Sequence, residues 1–133
     1  YMYSELIGII YKTKNVTFMN SELTSEIAYN MPCYDLVSFL NVFHHIVHFK
    51  GFNEADKIMK CLYKKTNKYF IFETGQYNEK GLYWSNDLSF MGDSPTQWVF
   101  EYLQMLGFSN VKMVSKFKTH LNSEERGFFI CTK

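Results

Sequence analysis

A single arginine, Arg126, two prolines and seven glycines with no G-x-G pair among them are the scarcities of this 133-residue chain. Without paired glycines, these residues hold no glycine fingerprint of the kind that lets a backbone close on a dinucleotide's phosphates. The preference for Lys over Arg, with Asn abundant, matches A/T-rich codon usage and carries no functional message. A net charge of +1 supplies no field that would draw in nucleic acid or an anionic membrane, so neither is expected as a partner. No apolar run approaches the ~18 residues of a membrane span, and no basic stretch followed by an apolar one marks a signal peptide. Cys33, Cys61 and Cys131 are odd in number and widely spaced. They read as reduced, core-filling thiols of a cytoplasmic protein rather than as a disulfide framework.

Aromatic residues, by contrast, make up 19% of the chain. The length suits one domain with a real core. Residues 1–12 read as the end of an amphipathic helix, Val16 to Met19 as a short strand, and 20–30 as a polar connection with room for one helical turn. Pro32 biases Met31 away from helix, and Asp35 to Leu40 then forms a buried central strand. Phe52 to Tyr63 has helical spacing, with Asn53 expected as N-cap and Glu54 in the first turn, and Lys64, Lys65 and Lys68 at the other end. Tyr69 to Phe72 is a second aromatic strand. The stretch 76–93 is long for a loop and is expected to act as a lid. Ser94-Pro95 opens a helix whose apolar stripe of Trp98, Val99, Tyr102, Leu103 and Leu106 runs to Gly107. Val111 to Phe117 and Gly127 to Thr132, close in sequence, are expected to pair antiparallel. The alternation of strands and helices predicts an α/β sheet, mainly parallel, covered on both faces and ending in an antiparallel hairpin.

The stretch YDLVSFLNVFHHIVH, Tyr34 to His48, carries the most chemistry, because an apolar strand runs into a polar corner at its carboxyl end, where open α/β sheets collect ligands. Asn41 either caps the strand end or touches a ligand. His44 and His45 are candidates to take a proton or to form a satisfied structural pair. His48 extends them to H-H-x-x-H, a spacing that could suit a metal, although no cysteine or carboxylate lies close by and no metal is expected. Glu73 ends the second aromatic strand at the same edge, as a base, an acceptor contact or a solvated cap. Tyr83 and Trp84 on the long loop could stack on a sugar or merely anchor the loop. His120 and Arg126 flank the hairpin turn, where Arg126 could grip an anion or be solvated.

The acidic-led strand ending in Asn-x-x-His-His resembles the fourth-strand motif of class I S-adenosylmethionine-dependent methyltransferases. More closely, LNVFHHIVHFKGF, the Tyr83-Trp84 pair, and Thr119-His120-Leu121 followed by Arg126 are similar to the methyltransferase domain of bacterial bifunctional kinase/methyltransferases that cap O-antigen polysaccharides. The resemblance implies a Rossmann-like methyltransferase sheet and S-adenosylmethionine as cofactor, with Asn20, Glu22 and Asn41 expected to contact it. His45, His44 and Glu73 are then the catalytic candidates, and Tyr83, Trp84, His120 and Arg126 the acceptor-binding ones. It further implies polysaccharide biosynthesis and a sugar-phosphate or other polar small-molecule or glycan-end acceptor. Against the family pattern, the glycine loop and first two strands are missing. Residues 1–133 are therefore expected to be the C-terminal two-thirds of one methyltransferase domain, whose sheet a preceding segment or another chain completes. A catalytically silent binding or assembly module is the competing expectation.

Overall fold

The computed structural model describes residue 16, residues 19–119 and residues 123–133. A short helix, α1 (Ser25–Asn30), leads into strand β1 (Tyr34–Leu40); helices α2 (Phe43–Lys50) and α3 (Phe52–Lys65) carry the chain to β2 (Thr66–Glu73). A 3-10 segment (Ser85–Met91), helix α4 (Pro95–Leu106) and the hairpin β3 (Asn110–Lys118) and β4 (Glu125–Thr132) follow. The four strands form one sheet in the order β1-β2-β4-β3. β1 and β2 are parallel, with Leu40 opposite Glu73, whereas β4 runs antiparallel to both β2 and β3. β3 thus points the same way as β1 and β2, and the turn after it lies at their carboxyl edge. The expected C-terminal antiparallel pair is present, with Val111 opposite Cys131 and a register shift between Met113 and Ser115.

Strand alternation sorts the side chains. Phe39, Phe70, Phe72, Phe129 and Cys131 are buried on one face, while Leu36, Leu40, Tyr69 and Met113 are exposed on the strands. Helices α2, α3 and α4 meet the buried face, and Phe43 knits them to it: its ring lies 5.9 Å from Phe72 and 6.0 Å from Tyr102. Phe52, Trp98 and Phe90 continue the ring packing. The high aromatic content therefore serves the core.

Several sequence expectations change here. β1 is an edge strand among the described residues, not a central one, and Leu36 is 53% exposed. The coverage of both faces is not seen among the described residues. Residues 43–50, assigned to no element from sequence, form a helix whose buried side carries Phe43, Ile46 and Val47. Asn53 is not the N-cap of α3; Gly51 is, with φ +83°, a left-handed value that glycine adopts without strain. Among the cysteines only Cys131 is buried; Cys33 is exposed. The helix expected over 1–12 falls outside the described residues, as do Thr17 and Phe18 of the strand expected at Val16 to Met19.

Candidate functional site at the carboxyl edge

The last residue of β1 is followed at once by a reversal. Asn41 has φ +57° and its N–H donates to the Glu73 carbonyl at 3.1 Å, so the strand pairing runs on into the turn. Asn tolerates this left-handed backbone better than most residues. One residue later α2 begins, and its first turn delivers His44 and His45 to the carboxyl edge of the sheet.

The two histidines meet different surroundings. His44 is 1% exposed. Its Nδ1 accepts the Gly75 N–H at 2.9 Å, with Thr74 Oγ1 at 3.3 Å, which fixes the tautomer with the proton on Nε2. Its ring lies 4.4 Å from Trp84 and 4.1 Å from His45. Burial, then the proximity of His45 and Arg126, pushes its pKa down to about 3, so it is neutral at any physiological pH. His45 is partly exposed, and Tyr83 Oη lies 2.9 Å from its Nδ1. Burial, Arg126 and His48 lower its pKa as well. His48 turns away and bonds Asp87 at 2.6 Å. The three histidines are thus engaged separately, and the described residues contain no His/Cys/Asp/Glu group that could hold a metal.

Beneath them lies a buried charge cluster. Arg126 is 2% exposed and donates through Nε and Nη2 to both oxygens of Glu79, at 2.8 and 2.9 Å. Its Nη1 donates to Glu73 Oε1 and Asn41 Oδ1, each at 2.8 Å. Burial alone would lower the Arg126 pKa, but the hydrogen bonds to Glu79 and Glu73 outweigh it and raise the value, holding the guanidinium charged. The clamp joins β1, β2, the long loop and β4 at one point, and Trp84 lies against the guanidinium at 5.5 Å.

Gly75 has to be glycine for this packing. A Cβ there would stand 2.5 Å from the Trp84 ring and 2.9 Å from His44. Gly75→Ala is therefore expected to cost ~1–3 kcal/mol by forcing Trp84 or His44 from its place. Chemical denaturation measures the loss, and a change in Trp fluorescence should accompany it.

The structure brings together Asn41, His44, His45, Glu73, Tyr83, Trp84 and Arg126, seven of the ten residues singled out from sequence. Two of them have a different setting from the one expected. Trp84 is 2% exposed, packed inside rather than open to a sugar, because residues 76–93 fold back as a wall and not as a free lid. Arg126 has its donors taken by the chain's own carboxylates, not left open for an anion. Tyr83, 62% exposed, remains available. Glu22 bonds Lys50 at 3.0 Å and, with His45, Leu23, Val42, Ile46 and Phe49, lines a cavity of about 160 Å³. Asn20 is exposed outside the cluster, and His120 falls outside the described residues. Sequence reasoning missed Glu79, which is fully buried, and Gln76, whose N–H donates to it at 2.7 Å. The only signal for Glu79 is indirect: a lone arginine that is buried needs carboxylates to meet it.

No protein-family model and no curated protein matches the chain. Among solved structures, the chain is similar to the bifunctional kinase-methyltransferase WbdD, with a TM-score of 0.75 and 22% identity over 96% of this chain and 26% of that one. It is also similar to magnesium protoporphyrin IX methyltransferase (ChlM) from Synechocystis PCC 6803 with bound S-adenosylmethionine, with a TM-score of 0.63 and 16% identity over 98% of this chain and 52% of that one. The chain thus spans about a quarter of the length of WbdD and half that of ChlM. With its polar corner after β1 and its terminal hairpin, the chain has the fold of the class I S-adenosylmethionine-dependent methyltransferases and resembles WbdD in it.

Proposed function

We propose that this chain is the C-terminal two-thirds of a methyltransferase domain that transfers a methyl group from S-adenosylmethionine to a polar small-molecule or glycan-end acceptor. The observation that carries the reading is the placement of a neutral, partly exposed His45 beside an exposed Tyr83 at the carboxyl edge of β1, over a rigid buried clamp. Ligands of open α/β sheets bind at that edge.

The residues present fit one wall of the cofactor site. The cavity of about 160 Å³ has apolar sides from Leu23, Val42, Ile46 and Phe49, which suit an adenosyl group, and the Glu22 carboxylate, which suits ribose hydroxyls or a sulfonium. Ligand pockets usually measure ~300–1,000 Å³, so these residues supply part of such a wall. When bound, the cofactor supplies an electrophilic methyl group, and what remains for the protein is alignment and exclusion of water.

His45 can do more than align. If Tyr83 Oη accepts from Nδ1–H, the Nε2 lone pair is free to take a proton from an acceptor hydroxyl. Its lowered pKa keeps the ring neutral, and so able to act, to a lower pH than an ordinary histidine. A phosphate acceptor needs no base, and there His45 and Tyr83 would only orient it. Asn41 and Glu73 are held by Arg126 and supply a fixed polar floor. A polysaccharide end is the acceptor class favoured by the resemblance of LNVFHHIVHFKGF and Thr119-His120-Leu121 to the O-antigen-capping enzymes.

His45→Ala in the full-length protein is expected to lower kcat for a hydroxyl acceptor by ~10²–10⁴-fold and to leave cofactor affinity nearly unchanged. Tyr83→Phe should move the acid limb of the rate profile without removing activity. Transfer of a radiolabelled methyl group across a pH series reads both. Unchanged turnover in His45→Ala would exclude base catalysis by this residue. A silent binding module, the competing reading, has one observation in its favour: Arg126 and the Nδ1 of His44 are engaged inside the chain. It predicts cofactor-independent behaviour of every variant.

A further inference from the structure

A second polar cavity lies behind the Arg126 clamp. It measures about 400 Å³ and is walled by the loop after β2, the start of α4 and the outer part of β3. Its donors are Lys116, the first turn of α4 and Gln76; its acceptors are Asp93 and Asn78. α4 is twelve residues long, and Ser94 at its N-cap position makes no side-chain capping bond. The N–H groups of Thr96 and Gln97 precede the first intrahelical bond, from Trp98 to the Ser94 carbonyl, and have no protein acceptor among the described residues. Gln76 is 1% exposed; its Oε1 accepts from Thr96 Oγ1 at 3.0 Å, yet its Nε2 has no partner, and neither has Asn78 Oδ1. Buried polar atoms are ordinarily satisfied. Two orphans of opposite kind on one cavity wall, beside an uncapped helix start and a lysine that forms no ion pair among the described residues, are the mark of a place that a polar ligand fills.

We propose that this cavity binds a small molecule carrying an oxyanion next to a hydroxyl group. The oxyanion takes the α4 amides, Gln76 Nε2 and Lys116, where the helix dipole favours negative charge. The hydroxyl donates to Asp93 or to Asn78 Oδ1, which a bare anion would leave unsatisfied. The site shares no lining residue with the cavity beside His45 and is independent of methyl transfer. It is nonetheless tied to the clamp, because Gln76 gives its backbone N–H to Glu79.

The test is a titration of the ¹⁵N-labelled protein at constant ionic strength with inorganic phosphate and, separately, with glycerol 3-phosphate. Saturable shifts are expected at the Thr96 and Gln97 amides and the Gln76 side-chain NH₂, with glycerol 3-phosphate the tighter of the two. Lys116→Glu, on an exposed strand position, should weaken both by about tenfold, as reversal of one partly screened charge implies, and leave the unfolding temperature unchanged. The double variant Asp93→Ala/Asn78→Ala should erase the advantage of glycerol 3-phosphate over phosphate. Non-saturating shifts spread over the surface lysines, equal affinity for the two probes, or an undiminished affinity in Lys116→Glu overturns the proposal.

Discussion

Arg126→Ala is expected to lose ~3–5 kcal/mol of stability, because removing one member of a buried ion cluster leaves the others as uncompensated buried charge. Here two carboxylates lose the same guanidinium at once: Glu79, fully buried, and Glu73, 5% exposed. Both are paired with the Arg126 guanidinium at 2.8 Å. Urea unfolding of the variant should show a midpoint far below that of the parent. Arg126→Lys should fail almost as badly, since an ammonium cannot serve both oxygens of Glu79 while reaching Glu73 and Asn41. Adding Glu73→Gln and Glu79→Gln to Arg126→Ala should recover much of the loss by removing the stranded charge. A loss below ~1 kcal/mol, the level of a surface pair, would mean that the arginine is solvated after all. The prediction also separates two roles. An arginine that gripped an anionic acceptor would show its loss in the Michaelis constant of that acceptor, with stability intact; the clamp geometry places the loss in folding.

The second large effect is acid lability centred on His44. Its folded pKa of about 3 lies well below the ordinary 6.5. The depressed value means that the folded state holds His44 neutral while the unfolded chain takes up a proton below pH 6.5. Stability from this group is therefore fully present above pH 6.5 and falls as the pH drops from there toward 3, by ~1.4 kcal/mol per unit. The physical cause is burial, then the proximity of His45 and Arg126, and a proton on Nδ1 would also displace the Gly75 N–H that it accepts. His44→Gln is the informative variant, since its amide oxygen can still accept from Gly75. Its stability should vary less with pH over 6.5 to 3 than that of the parent. Equal slopes would show that His44 does not carry the acid dependence.

The fold was legible where pattern and punctuation agree. α4 lies where Ser94-Pro95 and Gly107 bracket an apolar stripe, and the C-terminal pair lies where a short connection leaves no room for a crossover. β1 was found but misplaced, because an apolar strand looks alike whether its second neighbour is present or not. α2 was not assigned, because Phe43, Ile46 and Val47 are spaced for a helix but only two residues separate it from the strand and the histidines between them read as a corner. Of the site, the residue types were readable and their engagements were not. Nothing in sequence tells that Arg126 meets Glu79, forty-seven positions away, rather than a ligand. The left-handed turn at Asn41, which aims the whole corner, has no sequence signal beyond the residue's tolerance for it.

The central claim is that the corner formed by Asn41, His45 and Tyr83 faces a bound S-adenosylmethionine and its acceptor. The most direct test is a titration of the full-length protein with S-adenosylhomocysteine, followed by NMR of the histidine rings and backbone amides. Saturable binding is expected, with shifts at Glu22, Asn41, Val42, His45 and Phe49 and little change at Thr96 and Gln97. No saturable binding, or shifts that spare the β1–α2 corner, would contradict the claim.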